Sequence, residues 1–316
     1  MPGTLINQIG SASFSLAPMD GYTDMPFRVV CREHGSAFSF SEFVSADAVC
    51  RYVQKTLHQL TFREQERPVI FQLFGNDADI LAEAAVILES LKPDGIDINM
   101  GCSVKKIFQK GSGVGLMRDP EKVKKIFSKL TKKIQIPVSG KIRLGWSEEE
   151  KNYIEIGKIL EGEGAWAVFI HGRTRPMAYT GKASWEDMAK LKESLNIPVF
   201  GNGDITSLQD ARSKINQFGF DGILVGRKAI GNPWIFSDQN LSEVSYEKRL
   251  PVILQHLDLN MQMYGESRGV VLFRKHLFKY LKGLPSVSNL KNQLIENKSL
   301  NGIKELLNEF EAISGY

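Results

Sequence analysis

The sequence has little cysteine and no long apolar run. Its 316 residues include three cysteines, Cys31, Cys50 and Cys102, and no two of them form a CxxC pair. This sparse, odd set argues against a disulfide framework and against a zinc site with cysteine spacing. No stretch approaches the roughly 18 consecutive apolar residues of a membrane span, and the first residues lack the pattern of a signal peptide. We therefore expect a cytoplasmic protein with no membrane segment and no bound metal.

A large excess of charge is also missing. Lysine and arginine number 40, aspartate and glutamate number 36, and the formal net charge is +4. So small an excess neither demands nor excludes a nucleic-acid partner. Hydrophobic residues make up 42 % of the chain and charged residues 24 %, values that are typical of a folded globular protein.

Short apolar or β-branched runs alternate with longer amphipathic stretches along most of the chain. The runs that predict strands are 14–18, 37–42, 69–73, 95–99, 137–142, 167–171, 198–202 and 222–226, and those that predict helices include 77–91, 120–132, 148–161 and 185–195. Helices are expected to start at Asp119-Pro120 and at Ser147, which would form a capping box with Glu150. Eight strand–helix units favour an α/β fold, a (β/α)8 TIM barrel, over an open sheet.

The pattern changes after the eighth predicted strand. From residue 245 onwards no strand is evident, and the helical periodicity breaks at Gly265, at 283–285 and at Gly302. We predict a C-terminal, all-helical domain of three to five helices. The expected division places a barrel domain in residues 1–240 and the helical domain in residues 241–316.

Polar residues follow all eight predicted strands. In a parallel barrel, the carboxyl ends of the strands meet on one rim, where such folds place their chemistry. The residues expected there include Asp20, Glu42, Gln72, Asn99, Cys102, Lys141, His171, Arg173, Asn202, Asp204 and Arg227. The sequence therefore predicts one polar site at this rim.

Two neighbouring strand ends predict a phosphate site. Gly203 follows the seventh strand and Gly226-Arg227 the eighth, where barrels often bind phosphate through backbone N–H groups. Glycine permits close backbone approach, and an arginine can bind two phosphate oxygens. With the other polar residues of the rim, this favours a long, flat, phosphorylated ligand with the shape of flavin mononucleotide. The glycine-rich run 111–115 follows no strand and does not predict a dinucleotide site.

Cys102 is the cysteine that follows a predicted strand. A free thiol has a pKa near ~8.5 and is mostly protonated at neutral pH, so it can donate a proton. Lys105 and Lys106 lie close in sequence and would favour a thiolate instead, and the residues alone leave both states open. Cys31 and Cys50 are interpreted as small buried apolar residues.

Eight segments carry a resemblance to known proteins. They are APMDGYTDMPFR (17–28), FQLFG (71–75), DINMGCSVKK (97–106), GKIRLGW (140–146), IHGRTR (170–175), GNGDIT (201–206), VGRKAIGNPWIF (225–236) and FRKHLFKYL (273–281). In this unbroken order the chain resembles the bacterial tRNA-dihydrouridine synthases, and most of all the B type. It departs from the family pattern at Ser103, where proline is usual, and at Asp20, where alanine is usual.

The resemblance implies a flavin-bearing barrel followed by a helical tRNA-binding domain, in a monomer. The residues implied for FMN are Pro18, Met19, Asp20, Gln72, Lys141, His171, Asn202, Gly203, Asp204, Gly226 and Arg227, and NADPH would reduce the flavin and leave. Cys102 would be the catalytic acid, protonating C5 of a uridine as C6 accepts hydride. The expected contacts to uracil and tRNA are Asn99, Arg173, Arg175, Lys105, Lys106, Arg274 and Lys275.

Two other functions stay open at this point. An FMN-dependent barrel oxidoreductase acting on a small conjugated substrate, such as dihydroorotate, would need the same lysine, phosphate site and cysteine, but it gives the helical domain no purpose. An RNA-binding protein on an inactive barrel would have no need of Cys102 or Lys141. The sequence indicates neither which tRNA uridine is reduced nor whether NADPH is preferred over NADH.

Overall fold

The computed structural model describes residues 2–10 and 12–314. Within these residues, eight parallel strands form one sheet: β1 (Ser13–Leu16), β2 (Ser39–Ser45), β3 (Val69–Phe74), β4 (Gly95–Met100), β5 (Val138–Arg143), β6 (Ala167–His171), β7 (Val199–Asn202) and β8 (Gly222–Val225). Each strand pairs with its chain neighbour from β2 to β8, and β8 pairs with β1. The N–H of Ala37 donates to Phe14 O at 3.1 Å and links β1 to the start of β2. The predicted barrel is confirmed.

One helix, α1 (Pro2–Ile9), precedes the first strand. The helices that lie between successive strands are α2 (Met25–Glu33), α3 (Ala46–Cys50), α4 (Gln54–Gln59), α5 (Ala78–Glu89), α6 (Lys105–Phe108), α7 (Pro120–Lys133), α8 (Tyr153–Gly162) and α9 (Trp185–Ser194), with α10 (Leu208–Phe218) before the last strand. The start of α7 is as predicted, because the carboxylate of Asp119 accepts the N–H of Lys122 at 3.0 Å. The sequence analysis did not predict α1.

The helix start predicted at Ser147 is wrong. Ser147 Oγ accepts the N–H of Glu150 at 3.2 Å, as in a capping box, but α8 begins at Tyr153. An antiparallel bridge joins Gly145 to Lys151. This bridge bends the intervening residues back on themselves, so the local capping pattern closes a turn instead of starting a helix.

Four further helices follow the barrel among the described residues: α11 (Tyr246–Tyr264), α12 (Glu266–Tyr280), α13 (Val287–Glu296) and α14 (Leu300–Ser314). Gly265 separates the first two as predicted, but Gly302 lies inside α14 and does not break it. The interruption comes at Asn297, whose side chain covers the first turn of α14. A Cβ at Gly302 would lie 2.2 Å from Asn297 Nδ2, so glycine makes room for this side chain.

Aromatic side chains fill the amino end of the barrel. Phe38, Phe40, Phe169 and Phe200 are buried there, with ring centroids 4.7–6.0 Å apart in the pairs that touch. Leu5 and other apolar residues of α1 join the same cluster. The amino end of the barrel is therefore closed and apolar, which leaves the opposite rim for polar groups.

The helical region packs on the barrel through α2 and α11. Met25, Val29 and Val30 of α2 form an apolar cluster with Leu259 and Met263 of α11. Among the described residues, no helix has the length and apolar character needed to cross a membrane. The division at residues 240 and 241 stays a prediction.

Candidate active site

A chain of buried hydrogen bonds connects side chains of β3, β4 and β5 to the loop that contains Cys102. Ser139 Oγ donates to Asp97 Oδ1 at 2.8 Å, and Gln72 Nε2 donates to Asp97 Oδ2 at 2.7 Å. Asn99 Nδ2 then donates to Gln72 Oε1 at 2.9 Å. Finally, Asn99 Oδ1 accepts the N–H of Cys102 at 2.9 Å. Three strands thereby hold the backbone of the loop that carries the cysteine.

The direction of this chain follows from Asp97. Both carboxyl oxygens of Asp97 accept hydrogen bonds, from Ser139 and from the nitrogen of the Gln72 amide, so the oxygen of that amide faces Asn99 and sets the orientation of the Asn99 amide. Burial raises the pKa of Asp97 to about 7, while the hydrogen bonds from Gln72 and Ser139 and the charge of Lys141 oppose the rise. The sequence analysis gave Asp97 and Ser139 no role. The two-residue spacing that puts each on the inward face with Asn99 or Lys141 is the signal that could have identified them.

Cys102 is partly buried, and its surroundings favour the thiol over the thiolate. Burial raises the pKa of the thiol above its ordinary value, and the charge of Asp20 raises it further, although a backbone hydrogen bond from Val104 and the charge of Arg143 oppose the shift. Lys105 is exposed at the start of α6. Of the two states left open by the sequence, the structure favours the thiol, which is the form that donates a proton.

Two contacts fix the backbone on either side of the thiol. The guanidinium of Arg143 is almost fully buried, and its Nε donates to Gly101 O at 2.7 Å. The N–H of Val114 donates to Cys102 O at 3.1 Å. Gly113 has a φ of +58°, and a Cβ there would lie 2.8 Å from Cys102 O. The glycine-rich run therefore serves close packing against the cysteine loop.

Lys141 lies at the centre of the polar rim. Its Nζ is 3.4 Å from Asn202 Oδ1, and Asn202 Nδ2 donates to Leu224 O at 2.8 Å. Burial lowers the pKa of Lys141 to about 8, the charge of Arg143 lowers it as well, and Asp97 opposes them. Burial followed by the surrounding cations also holds the pKa of His171 well below its ordinary value. At neutral pH the rim thus offers a mostly charged ammonium and a neutral imidazole.

Asp204 organises the ends of β6, β7 and β8. Each of its carboxylate oxygens lies 2.7 Å from Arg173 Nη2, and one is 3.4 Å from Arg227 Nη2. Burial alone would raise the pKa of Asp204, but these arginines and the N–H of Ala183 lower it overall. Gly203 has a φ of +148°, and a Cβ there would lie 2.4 Å from the Cβ of Ala183. The predicted phosphate-binding residues are therefore close together.

Arg173, which is predicted to contact uracil, has several partners within the protein. It is buried, and its Nε and Nη2 donate to Thr180 O at 3.0 Å and to Gly181 O at 2.7 Å, in addition to its contacts with Asp204. Its Nη1 lies 3.3 Å from His171 Nε2. With these partners, Arg173 connects the loops after β6 and β7, and its contact with uracil stays a prediction.

The loop after β1 contributes the remaining predicted cofactor residues. Pro18 and Met19 are partly exposed, and a Cβ at Gly226 would lie 3.3 Å from Met19 Sδ. Asp20 is exposed as a residue, yet desolvation of its carboxyl raises its pKa. Glu42 of β2 is buried and accepts the N–H of the next loop residue, Gly21, at 2.5 Å. This loop thus borders the residues that are predicted to bind phosphate.

The predicted tRNA-binding cations occupy different surroundings. Lys105 and Lys106 are exposed on α6, whereas Arg274 Nη2 donates to Asn297 O at 2.8 Å within the helical region. Lys275 donates to Gly21 O, in the loop after β1. The first pair is free to meet a polyanion, and the other two already make contacts within the protein.

Arg175 stacks on aromatic rings beside the rim. Its guanidinium carbon lies 4.0 Å from the ring centroid of Trp146 and 5.1 Å from that of Phe108. Arg118 approaches the same indole at 4.7 Å. The sequence analysis did not assign the two rings a role, since only the fold brings them to these arginines.

Solved structures support the barrel fold. The chain aligns with a 2-naphthoyl-CoA reductase at a TM-score of 0.55 and 11 % identity, over 75 % of this chain and 52 % of that one. It aligns with 6-hydroxypseudooxynicotine amine oxidase from Pseudomonas geniculata at a TM-score of 0.55 and 12 % identity, over 74 % and 48 % of the two chains. At such low identity the likeness concerns the fold alone.

Sequence relatives are far more similar. The chain is 38 % identical over 277 residues to a tRNA-dihydrouridine synthase B of Pasteurella multocida, covering 85 % of this chain and 83 % of that protein. It is 38 % identical over 300 residues to the protein of the same name from Pseudomonas aeruginosa, covering 92 % and 89 %. A probable tRNA-dihydrouridine synthase of Rickettsia conorii is 34 % identical over 309 residues, covering 95 % and 93 %. Residues 15–314 match the family described as dihydrouridine synthase (Dus). The predicted resemblance, including its B-type character, is confirmed, and the chain belongs to the dihydrouridine synthase family.

Proposed function

We propose that this chain reduces the C5=C6 bond of a D-loop uridine in tRNA to 5,6-dihydrouridine, with bound FMN that is recycled by NADPH. The observation that carries the proposal is the position of the partly buried Cys102 on a loop that hydrogen bonds from three strands hold at the polar rim. Membership of the dihydrouridine synthase family and the names of the relatives support uridine in tRNA as the substrate.

The donor set of the rim fits FMN. Arg227 is the side chain best placed for the phosphate, because its side chain is 54 % exposed and its 3.4 Å contact with Asp204 is loose enough to be exchanged for a phosphate oxygen. The absence of a Cβ at Gly203 and Gly226 lets the backbone approach such a group. Lys141 would lie against the ring system, with the other cofactor residues named above around it. When bound, reduced FMN supplies hydride.

Cys102 would provide the proton. Uracil is a conjugated enone, and its C6 is the β-carbon relative to the C4 carbonyl. As C6 accepts hydride, negative charge develops on the C4 carbonyl oxygen and on C5, and C5 must gain a proton. The thiol of Cys102 donates that proton as a general acid, and its raised pKa keeps it protonated beforehand. Water restores the proton after each turnover.

Other residues would orient the base. Asn99 uses one N–H of its amide on Gln72, so the second N–H can donate to a uracil carbonyl. Arg175, supported by Trp146, offers a planar cation beside the rim, which suits stacking or hydrogen bonding to a base. For Arg173 we propose a positioning role through Asp204, since its donors are already engaged.

The nucleotide must leave the folded tRNA to reach this rim. Extruding it costs a few kcal/mol of stacking, which phosphate contacts can offset without reading sequence. We propose that Lys105 and Lys106 make such contacts beside the rim. In this scheme residues 1–240 catalyse and residues 241–316 orient the tRNA, with Arg274 and Lys275 contributing at the junction.

Nucleoside mass spectrometry tests the proposal. D-loop fragments of individual tRNAs would be compared between the source organism with and without the gene, followed by addition of purified protein and NADPH to the deficient tRNA. We expect one position to be dihydrouridine in the presence of the gene and uridine in its absence, and to become dihydrouridine again when protein and NADPH are added. Unchanged uridines, from a yellow protein that oxidises NADPH with orotate, would instead support the small-substrate oxidoreductase.

A further inference from the structure

A buried cluster outside the proposed active site joins the barrel to the helical region. Asp24 is the N-cap of α2, whereas His256 lies on α11 and His276 on α12. One ligand atom from each of the three side chains lies within 4.8 Å of the other two. All three residues are buried, with exposed fractions of at most 2 %. The reaction proposed above uses none of them.

The histidines of this cluster have nitrogens without a hydrogen-bond partner. Among the described residues, neither nitrogen of His276 has a partner, and Nε2 of His256 has none. Buried polar atoms are rarely left unpaired, because each has lost its hydrogen bonds to water. Burial lowers the pKa of His256 to about 3 and that of His276 well below its ordinary value. Both imidazoles are therefore neutral and offer lone pairs.

The neighbours of the cluster orient its side chains as metal ligands are oriented. Tyr280 Oη lies 3.1 Å from His256 Nδ1, so a proton on Nδ1 can be donated to it and the lone pair of Nε2 stays available. Tyr264 Oη donates to Asp24 Oδ2 at 3.0 Å. Histidine and carboxylate ligands of metals are commonly fixed by such outer hydrogen bonds.

We propose that Asp24, His256 and His276 bind one divalent transition-metal ion, with zinc as the best match. Two imidazoles and one carboxylate form a ligand set that zinc uses with an open fourth position, whereas magnesium and calcium prefer oxygen ligands throughout. Tetrahedral zinc places its ligand atoms about 3.4 Å apart, so the side chains close in by little more than 1 Å. The expectation of no metal relied on cysteine spacing, which a site of this composition does not use.

The charges around the cluster allow a cation. Asp24 supplies a carboxyl ligand directly, and the buried carboxyl of Glu42 lies close enough for the charge of Asp24 to raise the pKa of Glu42. Lys275 opposes a cation, but its ammonium is drawn towards Gly21 O. Because the ligands come from both the barrel and the helical region, a bound ion would favour the docked arrangement of the two.

The experiment uses the full-length protein with its flavin. After treatment with a chelator, the protein is mixed with zinc chloride alone, desalted and analysed for metal by mass spectrometry, and its thermal unfolding is recorded. We expect close to one zinc per chain and a rise in Tm. Magnesium chloride should give neither. The His276→Gln variant should lose the zinc and the rise in Tm, whereas the control His34→Gln, on a histidine outside the cluster, should keep both.

Two outcomes would overturn the proposal. One is zinc retention that is unchanged in His276→Gln but lost in Cys102→Ala, because the ion would then be bound at the rim. The other is wild-type protein that retains no zinc, a result that does not depend on the folding of any variant. The experiment measures metal content and Tm and does not measure the tRNA reaction. A negative result therefore rejects the metal site without affecting the proposed tRNA reaction.

Discussion

The two ends of the barrel are built on the same eight strands, yet their inward-facing side chains differ in kind. At the amino end, Phe169 and Phe200 stack with a centroid distance of 4.7 Å in an apolar cluster closed by α1. At the carboxyl end, the same two strands present His171 and Asn202 to a network of charges and hydrogen bonds. On each of these strands, the residue in the apolar cluster and the residue at the polar rim are therefore two positions apart.

The polar end buries ionisable groups, which the aromatic end lacks. Burial shifts the pKa values of Asp97 and Lys141 towards the neutral forms, because removal of a charge from water costs free energy. The aromatic end carries no such cost. Functional sites commonly depart from the packing rules that the rest of the fold obeys, and the following variants separate the two ends experimentally.

The largest effect is expected from Cys102→Ala. Loss of a general acid lowers turnover by about 10²–10⁴-fold, while bound flavin, tRNA affinity and the unfolding midpoint stay near wild type. Single-turnover formation of dihydrouridine measures the loss of turnover, and thermal unfolding measures the unfolding midpoint. The matched control is Cys50→Ala, on a partly buried cysteine away from the rim, which should retain turnover. Near-normal turnover in Cys102→Ala would reject the acid role.

Phe169→Ala should have the opposite profile. Removing a buried phenyl ring from the closed end lowers the free energy of unfolding by about 3–5 kcal/mol, whereas the folded fraction should keep its flavin absorbance and its activity per bound flavin. Urea unfolding followed by fluorescence measures the loss. Phe74→Ala, at a partly exposed ring on β3, should cost less. Equal losses in the two variants would contradict a special role for the aromatic end.

Asp97→Asn should affect both properties. An amide at this position offers N–H groups as well as an oxygen, so the Gln72 and Asn99 amides can turn over and present an N–H to the N–H of Cys102. An unsatisfied buried group costs about 1–3 kcal/mol of unfolding free energy, and we also expect a changed rate of Cys102 alkylation. The control Ser139→Ala removes one donor but keeps the direction of the chain. If the alkylation rate changes equally in both variants, the direction of the hydrogen bonds between Asp97 and Cys102 does not control the reactivity of the thiol.

Reversing two charges beside the rim should weaken tRNA binding specifically. The double change Lys105→Glu and Lys106→Glu removes up to two phosphate contacts, so the slope of log affinity against log salt should become shallower by roughly 1.5. Filter binding at several salt concentrations gives the slope. A double variant of Lys158 and Lys190, exposed on α8 and α9, makes the same charge change elsewhere. If its slope falls equally, binding follows net charge and not the rim.

The smallest predicted effect is a pH dependence of flavin binding. Lys141 has a pKa lowered to about 8, so it is mostly charged at pH 7 and mostly neutral at pH 9. An anionic cofactor prefers the charged form, and its affinity should fall by up to about tenfold over this interval. The second ionisation of a phosphate monoester, near pH ~6, is already complete. Flavin fluorescence titrations of the apoprotein test this. In Lys141→Arg the fall in flavin affinity between pH 7 and pH 9 should disappear. If the fall persists in this variant, another group causes it.

The sequence predicted the rim well because period-two alternation and strand ends are local features. Cys102, Lys141 and His171 follow directly from the positions of three strands. The role of Arg173 does not, because its pairing with Asp204 depends on how the loops after two different strands meet. Ser147 shows the same limit. The local pattern does not indicate the backbone bridge between Gly145 and Lys151, which makes this segment a turn and not the start of a helix.

Other features required the packed structure. The helix α1 is short, and its place is set by contacts of Leu5 and Ile9 with the aromatic end of the barrel. The residue type of Gly302 predicts a helix break, but the side chain of Asn297 explains the glycine. The cluster of Asp24 with two histidines joins residues more than 230 positions apart, and no spacing rule indicates such a site.

The most direct test of the central claim is a stoichiometric turnover at the polar rim. Purified protein would be reduced anaerobically, freed of excess reductant and mixed with tRNA that lacks dihydrouridine, with tRNA that already carries it, or with orotate. The account predicts that the unmodified tRNA alone oxidises the flavin and gains one dihydrouridine for each flavin oxidised. Oxidation by orotate with no change in the tRNA would contradict it.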